Sequence, residues 1–353
     1  MADDPLSELA VVLPPLFRSL EGLEFVARHF DPPDFASVMA AIGAPEADLP
    51  AALGRLAAWP DELEPIGAAL AGAIRAVLAG FEGLRSASEL RDAFRALGQL
   101  PRAQEALYPL AEGMAPVSRY FLEPPARRDE AVQARAAEAR PGSGVFHLEN
   151  ERSRRGGVSI YAPGHEPPER GWPLVVALHG GSGHGRAFLW SWLRAARTAG
   201  AVLASPTAVG ESWALNGPDL DTPNLAGVLD LVAARWPIDR TRMLLTGMSD
   251  GGSFAYLAGL TSDLPFTHLA PVSAAFHPML TAFADPARLK GLPIRIVHGA
   301  RDWMFPVETA RSAYEALSAA GAAVSYRELA DLSHAYPREE NLPILQWMAE
   351  TAG

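Results

Sequence analysis

The sequence predicts an α/β fold: a mostly parallel eight-stranded sheet flanked by helices, preceded by an all-helical domain. Three observations carry this. Residues 1 to about 140 show only helical periodicity. The cluster Pro141-Gly142-Ser143-Gly144 then breaks the chain. After it, short continuous apolar runs alternate with helical stretches, a pattern suited to strands covered on both faces by helices. With 353 residues, one large and one smaller domain fit the length, divided here as 1–140 and 141–353.

In the first region, Leu16, Leu20, Leu23 and Ala27 form an apolar stripe at helical spacing, with Pro15 suited to the first helical position. Ile66, Leu70, Ile74, Val77, Leu78 and Phe81 form a second stripe. Ser86 and Glu89 read as a capping box for a helix carrying Leu90, Phe94 and Leu97 and ending at Gly98. Asp31-Pro32-Pro33, Trp59-Pro60, Leu100-Pro101 and Glu123-Pro124-Pro125 punctuate the helices. In the second region, segments 145–150 and 158–161 alternate and form an antiparallel pair. Six apolar runs follow, at 174–178, 201–204, 243–246, 269–273, 294–297 and 324–329. Helices are expected at 186–199, 223–236, 251–260, 306–320 and 340–351.

Composition narrows the function. There is no cysteine, which removes disulfides, thiolate metal sites and a Cys nucleophile. The net charge of −11 argues against nucleic acid or an anionic membrane as a partner. Of that charge, −8 falls in residues 1–140 (13 basic, 21 acidic) and reads as a solvated face. No run of about 18 uninterrupted apolar residues is present. The acidic start Met1-Ala2-Asp3-Asp4 lacks the basic region of a secretory signal, so a cytoplasmic protein is expected.

The chemistry centres on Gly247-Met248-Ser249-Asp250-Gly251, a G-x-S-x-G string. The string alone is weak, but it lies between an apolar strand and a helix, where a tight turn lifts a serine hydroxyl above a sheet. Glycines two before and two after the serine make room for that turn. Such a serine needs a base, and the base needs an orienting acid; where the serine sits on such a strand-to-helix turn of a parallel sheet, the expected chain order is Ser, acid, His. Of nine histidines, only His334 follows the last core strand. Asp302 follows the 294–297 strand and is the expected acid. Asp331 competes, but it shares the loop of the base and reads as a turn former; Asp285 falls in a Pro-flanked helical stretch. Oxyanion donors are expected at the N–H of Asp250 and, in the Gly-rich turn 180–183, at Gly181, with Ser182 second.

His179-Gly180-Gly181, the elbow 247–251, His298-Gly299-Ala300-Arg301-Asp302 with Pro306, and Ser333-His334 together resemble the α/β-hydrolase superfamily over residues 145–351. In style they are similar to dienelactone-hydrolase, phospholipase/carboxylesterase and polyhydroxybutyrate-depolymerase-like esterases, as is the run Trp236-Pro237-Ile238-Asp239 leading through Arg240 into the elbow. The resemblance implies Ser249, Asp302 and His334 as a triad. It leaves residues 1–140 unaccounted for, and the Cys nucleophile of dienelactone hydrolases is missing.

The interval from Ser249 to Asp302 has no room for an inserted cap, so the helical domain is the candidate lid, or else a homodimer surface. Trp213, Phe276, Trp303 and Met304 follow strand ends and are expected to line a hydrophobic pocket. His179 and His184 lack the helical spacing of a metal motif, and His298 reads as a hydrogen-bonded core histidine; no metal or cofactor is expected. The expectation is a carboxylesterase acting on a small-molecule ester. A thioester, phospholipid, polyester or peptide substrate remains open on the same triad, and a silent hydrolase fold used for binding is the rival of another class.

Overall fold

The computed structural model describes residues 5–352. The chain forms two compact units that meet in sequence between Gln133 and Ala134. The first consists of helices α1 (Pro5–Arg28), α2 (Phe35–Ile42), α3 (Leu49–Leu56), α4 (Glu64–Ser86), α5 (Leu90–Leu97), α6 (Gln99–Leu107) and α7 (Ala115–Tyr120), with α8 (Glu130–Ala137) running across the boundary. Leu16, Leu20 and Leu23 of α1 and Leu70, Ile74, Val77 and Phe81 of α4 are fully buried, so the two stripes form the core of this unit. A Cβ on Gly83 would meet that of Ala96 at 2.9 Å, which sets the close approach of α4 and α5.

Local signals misplace two features here. Pro15 lies inside α1, together with Pro14, rather than at its first position. A helix interior tolerates proline only at the loss of a backbone bond; Ser19 Oγ adds side-chain bonds there, donating to the carbonyls of Pro15 (2.7 Å) and Pro45 (2.9 Å). Ser86 does not cap α5. It ends α4, and its hydroxyl donates to the carbonyls of Glu82 and Gly83. Helix α4 with the turn before it, 61–86, is long and apolar enough to cross a membrane by length and composition, although Arg75 stands exposed in its middle.

The second unit begins a few residues before the Pro-Gly breaker. Arg135 donates to the Thr198 carbonyl (2.6 Å), Arg197 to Ala136 (2.8 Å) and Arg140 to Gly164 (2.7 Å), tying residues 135–140 to the sheet region. Its strands are β1 (Gly144–Leu148), β2 (Val158–Ala162), β3 (Trp172–Leu178), β4 (Val202–Pro206), β5 (Ile238–Met248), β6 (His268–Val272), β7 (Pro293–Gly299) and β8 (Ala323–Leu329). They lie in the order β1-β2-β4-β3-β5-β6-β7-β8. Pairs β1/β2 and β2/β4 are antiparallel; the remaining pairs are parallel. Strands β2, β3, β4 and β6 are buried at every residue; β3, β4 and β6 read as unbroken apolar runs for that reason, while β2 reads as alternating because Ser159 interrupts it. Helices α9 (Gly185–Ala199), α10 (Asp221–Arg235), α11 (Asp250–Thr261), α12 (Met279–Phe283), α13 (Pro286–Leu289), α14 (Val307–Ala319) and α15 (Asn341–Thr351) complete the unit.

The chain reverses direction of build at β3, whose neighbours are β4 on one side and β5 on the other. In open α/β sheets the crevice at the carboxyl ends of the strands beside such a switch is where sites form.

Candidate active site

Three loops converge at those carboxyl ends. Between β5 and α11, Ser249 takes φ 54° and ψ −121°, a backbone region that side-chain-bearing residues rarely enter. The surroundings hold it there. Ser249 N–H donates to Val272 O (3.0 Å), and Ser249 O accepts from Ser253 N–H (2.8 Å). A Cβ on Gly247 would lie 2.5 Å from the Gly251 carbonyl, and one on Gly251 would strike the His179 carbonyl. The two elbow glycines are therefore required by close backbone approach.

The β7 loop supplies Asp302, whose side chain is buried. Its Oδ1 accepts from the N–H groups of Met304 (2.9 Å) and Phe305 (2.8 Å). The β8 loop supplies His334. That loop lies against the β7 loop: Ala300 N–H donates to Leu329 O (2.9 Å) and Arg301 N–H to Leu332 O (3.0 Å). A side chain on Gly299 would collide with the Leu332 carbonyl, so this contact needs glycine as well. Two residues beyond His334, Tyr336 donates to Asn341 Oδ1 (2.8 Å), and Asn341 donates to Ser191 O in α9 (2.8 Å).

These loops bring Ser249, His334 and Asp302 into one hydrogen-bonded line. His334 Nδ1 lies 3.0 and 2.9 Å from the two Asp302 oxygens, and its Nε2 lies 3.1 Å from Ser249 Oγ. A carboxylate only accepts, so Nδ1 carries the proton and Nε2 faces the serine with its lone pair. Asp302, and not Asp331, is the carboxylate brought to the ring. Burial alone would raise the Asp302 carboxyl; hydrogen bonds from His334 and Phe305 N–H, with the fields of His334 and His298, outweigh it and hold the group below its ordinary range. His298 is buried as expected. Its Nε2 donates to Phe305 O (2.9 Å) and stands 3.5 Å from Asp302 Oδ2, bracing the loop of the acid.

Gly180–Gly183 forms a tight turn closed by Gly183 N–H to Gly180 O (3.0 Å), with Ser182 at φ 55°. A Cβ on Gly181 would sit 2.7 Å from Asp250 Oδ2, so the Gly181 backbone and Asp250 are neighbours. Asp250 opens α11, where the first N–H groups have no partner within the helix. Its Oδ2 accepts from Ser212 Oγ (2.6 Å). His179 organises the start of the turn. Its Nε2 accepts from Ala208 N–H (3.1 Å), which fixes the proton on Nδ1, the donor to Gly180 O (2.7 Å). Burial drives the His179 pKa down to about 3; the Gly180 bond opposes this, and the charges of Arg155 and His184 add to it.

The four expected pocket residues divide. Trp303 and Met304 are exposed, 41% and 45%, and the Trp303 ring lies 6.0 Å from that of His334. Trp213 and Phe276 belong to the core instead. Trp213 stacks on Phe254 at 5.4 Å and spends its indole N–H on the His179 carbonyl (2.7 Å), and Phe276 packs edge-on against Tyr256 at 4.9 Å. Position after a strand end does not tell an inward ring from a lining one. Ser212 and Arg155 were not anticipated: a serine in a loop and one of three arginines in a polar hairpin carry no periodic or motif signal.

Sheet order, elbow and loop placement give the second unit the architecture of the α/β-hydrolase fold. Residues 225–350, about a third of the chain, match the model of the phospholipase/carboxylesterase family, a span holding Ser249, Asp302 and His334 but not the 180–183 turn. No curated protein matches the chain. Among solved structures, it is similar to SOBER1 of Arabidopsis thaliana, with 19% identity and TM-score 0.43 over 51% of this chain and 99% of that one. It is similar to esterase PE8, with 20% identity and TM-score 0.43 over 53% and 96%. A truncated carbohydrate esterase from gut microbiota gives 13% identity and TM-score 0.47 over 61% and 99%.

Proposed function

We propose that this protein is a carboxylesterase-type serine hydrolase. The observation that carries the reading is the line Asp302–His334–Ser249, with a proton on Nδ1 and a lone pair facing the hydroxyl. In the first half-reaction, Ser249 Oγ attacks the ester carbonyl carbon while His334 Nε2 takes the hydroxyl proton. The tetrahedral oxyanion is held by the N–H groups of Asp250 and Gly181, with Ser182 as the neighbouring donor. Collapse breaks the bond to the alcohol oxygen, and His334 returns the proton to that oxygen. In the second half-reaction, His334 activates water, which attacks the acyl-serine and releases the acid and free Ser249. Asp302 stays ionised throughout; it holds the ring in this tautomer and stabilises the imidazolium. The residues named suffice for both steps, so the reading assigns no role to a cofactor.

The exposed Trp303 and Met304 favour an ester with an apolar portion beside His334. A fluorophosphonate probe should label Ser249 in the intact protein, and Ser249→Ala should remove the labelling and lower p-nitrophenyl ester turnover by roughly 10⁴-fold or more. Turnover that survives this substitution sinks the reading.

A further inference from the structure

The β1–β2 hairpin reaches the same end of the sheet as the candidate site. Strand β2 runs antiparallel to β4, with Val158 opposite Pro206, so the hairpin loop 149–157 emerges beside the carboxyl end of β4. From that loop the half-buried Arg155 extends its guanidinium into four backbone carbonyls. It donates to Gly183 O (2.6 Å), Ala208 O (3.1 Å), Gly210 O (2.8 Å) and Glu211 O (3.1 Å). The first belongs to the turn carrying Gly181; the others belong to the loop after β4.

That second loop grips the oxyanion region from behind. Ala208 N–H donates to His179 Nε2, Trp213 Nε1 to His179 O, and Ser212 Oγ to Asp250 Oδ2. One side chain therefore fastens the Gly181 turn directly, and the segment that orients His179 and Asp250 indirectly. The same hairpin adds neutral ties: Thr207 Oγ1 donates to Asn150 Oδ1 (2.7 Å) and accepts from Gly185 N–H (2.9 Å). Arg155 offers a planar, permanently charged fork with five donors, able to serve several carbonyls at once.

We propose that Arg155 is a positioning residue for the oxyanion hole, acting through the 180–183 turn and the 208–213 loop without touching substrate. This rests on the serine-hydrolase reading above. Oxyanion donors act on a charge that develops only in the transition state, so loosening them lowers kcat and spares ground-state binding. A misplacement of about 1 Å is enough for a large loss.

The test uses the full chain, each variant assayed below its own melting transition. Arg155→Lys keeps the charge and loses the fork. It should lower kcat roughly ten- to a hundredfold while KM stays within about threefold. The rate of fluorophosphonate labelling at Ser249 should fall in parallel, because the phosphonyl oxygen occupies the same hole. Millimolar guanidinium chloride should restore part of the kcat of Arg155→Ala, a rescue that a general loss of packing would not give. Arg154→Ala, whose exposed side chain pairs with Glu149 at 2.8 Å, should match the parent. An Arg155→Lys variant with kcat within about twofold of the parent, or with a change confined to KM, overturns the proposal. If Ser249→Ala itself retains turnover, the serine-hydrolase reading has failed; if Ser249→Ala is inactive and Arg155→Lys is not impaired, the positioning role alone has failed.

Discussion

Each of the two units buries a small polar network, and the two differ in one respect. In the helical unit, Gln104 Nε2 bonds Glu24 Oε1 (3.0 Å) and Tyr120 OH (3.3 Å), and Tyr120 OH bonds Glu24 Oε1 (2.9 Å). The three groups are joined pairwise into a triangle. In the sheet unit, Asp302, His334 and Ser249 form a line. One end is anchored on backbone N–H groups, and the other ends on a hydroxyl held out of the helix by a strained turn. A closed network fixes helices against one another. An open line leaves its terminal hydroxyl able to pass a proton to the ring and take it back, the property that the proposed acyl transfer requires.

The comparison can be broken from either side. The largest effect belongs to the line. Asp302→Asn keeps the size of the side chain but favours the wrong tautomer, and should lower kcat by roughly 10⁴-fold, while Asp331→Asn stays near the parent. Steady-state ester hydrolysis decides this, and the reverse pattern would move the acid to Asp331.

Next comes pH. Two histidines of the sheet unit have strongly depressed pKa values, His179 at about 3 and His268 at about 4, both through burial; burial lowers His184 as well. Below the unfolded value of about 6.5 the unfolded chain binds protons that the folded one refuses. Their contribution to stability is therefore complete above that pH and is lost as pH falls toward 4 and then 3. The slope reaches at most about 1.4 kcal/mol per pH unit for each histidine. Urea midpoints at pH 7 and pH 5 measure it; equal midpoints would contradict the burial of both rings.

The smallest effect belongs to the triangle. Tyr120→Phe removes one hydroxyl from a mutually bonded set and should cost about 1 kcal/mol in denaturation. It should leave kcat unchanged, and a change in kcat would mean that the triangle is not purely structural.

Much of the second unit was legible because its signals are local and redundant. Unbroken apolar runs mark strands such as β3 and β6 because both faces are covered. The elbow glycines flanking Ser249 are dictated by contacts within a few residues and across one strand. Once the strands are counted, His334 and Asp302 follow from position alone. Side-chain direction was less legible. Trp213 and Trp303 both follow strands, yet one gives its N–H to the His179 carbonyl and the other stands exposed beside His334. The Ser86–Glu89 spacing fits a capping box, but α4 runs on through Ser86 and takes its hydroxyl for its own carbonyls.

The sequence by itself determined the helical first region, the eight strands and the placing of Ser249, Asp302 and His334 after successive strands, because periodicity and glycine placement are properties of neighbouring residues. Only the tertiary structure decided that Arg155 meets Gly183 and that Ser212 meets Asp250. Those contacts join loops separated by 28 and 38 positions. The first exists because β2 runs antiparallel to β4 and carries its hairpin to the end of the sheet that holds the candidate site, the second because β4 and β5 both run parallel to β3 and end there, consequences of strand order that no local pattern records.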